Sequence, residues 1–159
     1  MKTDSKNDDK LKFIIEYRKQ LYNFSNQYDY DWFCSLNLPN YKVEDAEKFL
    51  KIWRCNLSVK DHIRIAYLGV IVTSQFTGPH IHLLMFGKNN RGETLLDRDK
   101  KNWQNEWARI TGRDAVIEDY YRDSFFVRYI SGPKNTPINH FEPVIPYNDE
   151  FLKKYRKNN

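Results

Sequence analysis

Gly78-Pro79-His80-Ile81-His82-Leu83-Leu84-Met85-Phe86-Gly87 is an apolar run opened by a turn, and it carries two of the four histidines in the chain. Successive side chains of a β-strand point to opposite faces. His80 and His82 therefore share one face with Leu84 and Phe86, while Ile81, Leu83 and Met85 cover the other. Two imidazoles side by side make a two-nitrogen clamp for a metal ion. Histidines at this spacing also occur as packing residues, but this pair stands at the mouth of its strand, directly after Thr77-Gly78-Pro79, and not in the middle.

Immediately upstream, residues 63–73 are β-branched and apolar, and Gln75 to Pro79 turn the chain, so 63–73 and 80–86 pair as a hairpin. Before the hairpin, Ala46, Phe49, Leu50, Trp53 and Leu57 recur at intervals of three and four, the stripe of an amphipathic helix from Val43 to about Val59. Before that helix, Tyr30 to Leu38 reads as a strand stopped by Pro39. After the hairpin comes a Gly- and Asn-containing loop, Lys88 to Thr94. Trp103, Trp107 and Ile110 then mark a second helix ending at Gly112, a C-terminal cap. Ala115 to Tyr121 gives a further strand, Ser124 to Ser131 a third helix broken by Gly132-Pro133, and Glu142 to Tyr147 an extended piece whose two prolines suit a sheet edge.

The resulting order is strand, helix, strand, strand, helix, strand, helix, strand. It predicts an α+β fold: a central antiparallel sheet of about five strands with helices packed mainly on one face. The domain spans 30–150. A polar tail with a leading helix over Leu11 to Phe24 precedes it (1–29), and a basic tail follows (151–159).

A chain of 159 residues with ten Phe, eleven Tyr and four Trp has the length and the aromatic content to bury a single core. No apolar run approaches the roughly 18 residues that span a bilayer, and Met1-Lys2-Thr3-Asp4-Ser5 lacks the apolar core of a signal peptide, which points to the cytoplasm. Cys34 and Cys55 have no ligand-like spacing and read as reduced packing residues. A net charge of +5 favours a polyanionic partner such as nucleic acid. A Gly-x-x-x-x-Gly-Lys-Ser/Thr phosphate loop is absent, so these residues carry no helicase of that type.

Three features fall in order along the chain: the strand Phe33-Cys34-Ser35-Leu36-Asn37-Leu38-Pro39, the His-hydrophobic-His strand, and Val127-Arg128-Tyr129-Ile130-Ser131-Gly132-Pro133-Lys134. Together, over roughly residues 30–147, they resemble the three motifs of HUH endonucleases, the rolling-circle replication initiators, relaxases and related transposases. The resemblance implies an RRM- or ferredoxin-like palm. It also implies metal-dependent nicking and joining of single-stranded DNA at a replication origin, with the strand presented by a hairpin and unwinding left to a host or fused helicase. Location would follow the host compartment of the plasmid or viral replicon. Gly132-Pro133 lengthen the usual spacing between the tyrosine and the lysine.

The chemistry asked of these residue types is coherent. A tyrosine phenol, here Tyr129, attacks a phosphodiester and keeps its energy in a phosphotyrosine linkage. A divalent ion on His80 and His82 polarises the phosphate, and Lys134 stabilises phenolate and phosphorane charge. Two imidazoles with oxygen ligands suit Mn²⁺ or Mg²⁺ and also accept Zn²⁺, Co²⁺ or Ni²⁺. Many replication initiators place a glutamate before the histidine motif, where this chain reads Val70-Ile71-Val72-Thr73-Ser74-Gln75. The third ligand is open among Gln75, Thr73, Glu118, Asp119 and water. Tyr120 and Tyr121 compete with Tyr129 for the nucleophile. A histidine-triad hydrolase would need a histidine where Leu84 stands. A single-tyrosine transposase would have a glutamine near Pro133. A single-strand-binding module would leave both histidines incidental.

Overall fold

The computed structural model describes residues 27–38, 43–74, 78–121 and 140–144, with helical residues scattered between 9 and 23. Among the described residues, five strands form one sheet: β1 Trp32–Asn37, β2 Arg64–Ser74, β3 Gly78–Lys88, β4 Ala115–Asp119 and β5 His140–Val144. Helix α1, Val43–Lys60, connects β1 to β2, and α2, Lys100–Thr111, connects β3 to β4. The strand order is β4-β1-β3-β2-β5 and every pairing is antiparallel. The first four strands and both helices thus follow the split β-α-β-β-α-β arrangement of ferredoxin-like domains. β5 adds an edge strand beside β2, starting two residues before the expected Glu142. It tolerates Pro143 because an edge strand need not donate on both sides. The proposed helix over 124–131 lies outside the described residues.

The helices cover one face of the sheet, as their apolar stripes require. Ala46, Leu50, Trp53 and Leu57 of α1 and Trp103 and Trp107 of α2 meet Trp32, Cys34 and Leu36 of β1 and Ile81, Leu83 and Met85 of β3 in one core. Three indoles in this layer are polar as well as bulky. Trp53 Nε1 donates to Trp103 O at 3.0 Å, Trp103 Nε1 to Asp61 Oδ2 at 2.6 Å, and Trp107 Nε1 to Asn37 O at 3.0 Å. These bonds spare the indole N–H groups the cost of unpaired burial and fix both helices against the sheet.

Helix α2 starts on Asp99, whose side chain accepts from Lys101 N, and ends at Gly112 in the left-handed region (φ 69°), where Gly112 N bonds Ala108 O. The predicted cap is therefore real. Gly69 is required by close approach: a Cβ there would strike Leu83 Cδ2 and lie 2.6 Å from His82 O. The two cysteines part company. Cys34 is buried, with Sγ 3.4 Å from Met85 Sδ, whereas Cys55 is exposed on α1 and is not a packing residue. The described positions of the leading helix are helical, but Ile15 is exposed and does not join the core.

Candidate functional site

β3 is the central strand, flanked by β1 and β2, and the alternation predicted for it holds. Ile81, Leu83 and Met85 enter the helix-covered core. His80 and His82 therefore stand on the opposite face, away from α1 and α2. Their ring centroids are 4.6 Å apart with planes at 79°. Two imidazoles that share a metal at about 2.1 Å per nitrogen and roughly 90° apart would have centroids about 4.6 Å apart, so the separation fits a shared ion.

His82 is only 5% exposed and stacks on Phe33, centroids 5.9 Å apart and planes within 11°. Burial pushes its pKa down to about 3, and the neighbouring His80 adds to the shift. Desolvation disfavours the imidazolium, and a second imidazole nearby disfavours it further. At neutral pH His82 is accordingly in the neutral form that ligates metals.

The pairing register gives the sheet positions beside the pair. Across β1, Ser35 lies opposite His82 and Asn37 opposite His80. Across β2, the positions opposite them are Val70 and Val72, residue types without a ligand atom. Thr73 pairs with Pro79 and so is out of step with both histidines. Glu118 is exposed and sits opposite Phe33, two strands from β3 and one pleat beyond His82. Asp119 pairs with Trp32, hence on the helix side, and its Oδ1 is 2.7 Å from Lys100 Nζ. Neither carboxylate reaches the imidazoles. Among the described residues no third histidine, cysteine or carboxylate joins the pair.

No family model, curated protein or solved structure matches this chain.

Of the residues singled out from sequence, the structure therefore brings together His80 and His82. Tyr129, Lys134 and Gln75 lie outside the described residues. Tyr120 is placed elsewhere: its N–H bonds Asp31 O at 2.8 Å and its ring meets Tyr30 edge-on at 5.5 Å. Tyr30 in turn packs on Phe86, four residues along β3 from His82, which puts this aromatic cluster about 13 Å from the histidines along the strand. Tyr121 is exposed.

Asn37, absent from the sequence-derived candidates, is heavily anchored beside the pair. Its backbone N–H donates to Asp114 O at 3.1 Å, its carbonyl accepts from Trp107 Nε1 and its Nδ2 donates to Asp114 Oδ1 at 3.0 Å. No spacing signal marks Asn37, because the 43 positions separating it from His80 are closed only by strand pairing.

Proposed function

We propose that this chain is a metal-dependent endonuclease of HUH type, which nicks and rejoins single-stranded DNA and so initiates rolling-circle replication of a plasmid or virus. The observation that carries the reading is the neutral, adjacent His80–His82 pair on the face opposite α1 and α2, on the central strand of a ferredoxin-like antiparallel sheet. The order of the three sequence motifs supports it, as does the net positive charge, which favours a polyanionic substrate.

In this reading Tyr129 Oη attacks the scissile phosphorus and the phenolic proton leaves. The bond to the 3′ oxygen breaks and that oxygen takes up a proton. The products are a 5′-phosphotyrosine linkage and a free 3′ hydroxyl, and rejoining is the same step reversed. A divalent ion, Mn²⁺ or Mg²⁺, would supply charge neutralisation at the phosphate. His80 and His82 would hold it, and their fixed strand positions keep the two nitrogens close without help from a loop. Lys134 would offset charge on the phenolate and on the pentacoordinate phosphorus.

The test is a set of variants assayed on single-stranded DNA with Mn²⁺. His80→Ala is expected to lose cleavage with the fold intact by circular dichroism, and Tyr129→Phe to bind DNA without cutting it. Full cleavage by His80→Ala and His82→Ala would leave a nuclease that does not use the histidine pair as the better description. Cleavage by Tyr129→Phe would reassign the nucleophile.

A further inference from the structure

We propose that Asn37 supplies, through Oδ1, a third protein ligand to a divalent cation held by His80 and His82, with Asp114 acting as the positioning residue that aims it. The inference rests on the reading of the two histidines as metal ligands and adds the residue that completes their face.

Strand register places Asn37. Leu38 N donates to Pro79 O at 3.1 Å, which makes Leu38 and Pro79 a hydrogen-bonded pair of the β1–β3 ladder. In an antiparallel ladder such pairs alternate with non-hydrogen-bonded ones, so Asn37 and His80 form a non-hydrogen-bonded pair. In these pairs the Cα atoms approach to about 4.5 Å and the side chains on the shared face come closest. Asn37 therefore stands beside His80 on the face opposite α1 and α2.

Hydrogen bonding orients it. The Asp114 carboxylate only accepts, so the Asn37 atom facing it is Nδ2, and the amide orientation is fixed by chemistry and not by choice of rotamer. With Nδ2 given to Asp114, the backbone N–H to Asp114 O and the backbone O to Trp107, the residue presents Oδ1 as its acceptor. An outer carboxylate that accepts an N–H from a metal ligand is a common way to aim that ligand. On the opposite flank of β3 the β2 residues in register with His82 and His80 are Val70 and Val72, residue types without a ligand atom. A carboxamide oxygen beside two imidazoles is also a ligand set that suits Mn²⁺ and leaves positions open for phosphate oxygens.

Mn²⁺ binding to the full chain, without DNA, tests this independently of cleavage. Calorimetry and the electron paramagnetic resonance signal of free Mn²⁺ give the affinity, and Co²⁺ absorption reports a change of ligand set. Asn37→Leu is expected to weaken Mn²⁺ binding roughly 10- to 100-fold, the range seen when groups around a metal are lost, and to alter the Co²⁺ spectrum. Asn37→Asp combined with Asp114→Asn reverses the hydrogen bond while keeping an oxygen on the metal side, and should restore at least wild-type affinity. Wild-type affinity and an unchanged Co²⁺ spectrum in Asn37→Leu, with binding lost in His80→Ala, would overturn the role of Asn37 and leave the histidine pair standing. Loss confined to Ser35→Ala would overturn it too. If Asn37→Leu does not fold, a folded exchange pair that binds at least 10-fold more weakly than wild type overturns the inference. Failure of the wild-type chain to bind Mn²⁺ would sink both readings.

Discussion

Acidification should destabilise this protein through His82 before it unfolds through its carboxylates. His82 is buried against Phe33 and beside His80, and its pKa in the folded chain is pushed down to about 3 by that burial and that neighbour. In the unfolded chain it returns to about 6.5. Between those values the unfolded state binds a proton that the folded state refuses, so stability is fully present above pH 6.5 and is lost as the pH falls towards 3. At pH 5 the difference is about 1.5 pKa units, worth about 2 kcal/mol. Urea unfolding at pH 7.5 and pH 5, in EDTA, gives the stability at each pH for the wild type and for His82→Gln. The variant lacks this titration, so its loss between the two pH values should be about 2 kcal/mol smaller than that of wild type. Equal losses in the two proteins would refute the assignment of a neutral, buried His82.

Three further expectations concern the frame around the site. Gly69→Ala forces a methyl against Leu83 and the His82 carbonyl and should cost about 1–3 kcal/mol in the same unfolding assay. A neutral effect would show that the β2–β3 spacing adapts. Trp107→Phe removes the indole bond to Asn37 O and should lower stability by about 1–2 kcal/mol, read as a drop in Tm. An unchanged Tm would mean that the bond contributes nothing net. Thiol titration of the native protein should consume one equivalent quickly, at exposed Cys55, and the second, at buried Cys34, only after denaturation. Two fast equivalents would contradict the burial of Cys34.

Periodic features were readable from sequence because each is local. The α1 stripe is buried at Ala46, Leu50, Trp53 and Leu57 and half-buried at Phe49, the 63–73 and 80–86 hairpin forms, and Gly112 caps α2 in the left-handed conformation its position asked for. Alternation in residues 80–86 sufficed to put both imidazoles on one face. What alternation cannot supply is register between strands distant in sequence. Asn37 opposite His80, and Val70 and Val72 opposite His82 and His80, follow from how β1, β2 and β3 slide past one another to fit the tryptophan layer. The same gap explains Asp119, a plausible ligand by composition that pairing turns to the helix side beside Lys100.

Other misses were side-chain bonds that compete with recognisable patterns. Thr94 and Asp97 form a capping box on the short helix Leu95–Asp97, inside what reads as loop and helix start. Asp31, just before β1, accepts from Gly87 N and Leu95 N at 3.0 and 3.3 Å, and burial raises its pKa despite those bonds. Cys55 occupies an outward position of α1 that its residue type did not announce.

The proposed chemistry needs the His80–His82 face to bind a metal that serves a tyrosine nucleophile. Its most direct test is to incubate the chain with a pool of single-stranded DNA oligonucleotides and Mn²⁺, with and without EDTA, and to map any covalent adduct by mass spectrometry. The expected product is a 5′-phosphotyrosine adduct on Tyr129 that EDTA abolishes. DNA binding that EDTA leaves unchanged, with no adduct from a pool that includes hairpin-presented sites, would contradict it.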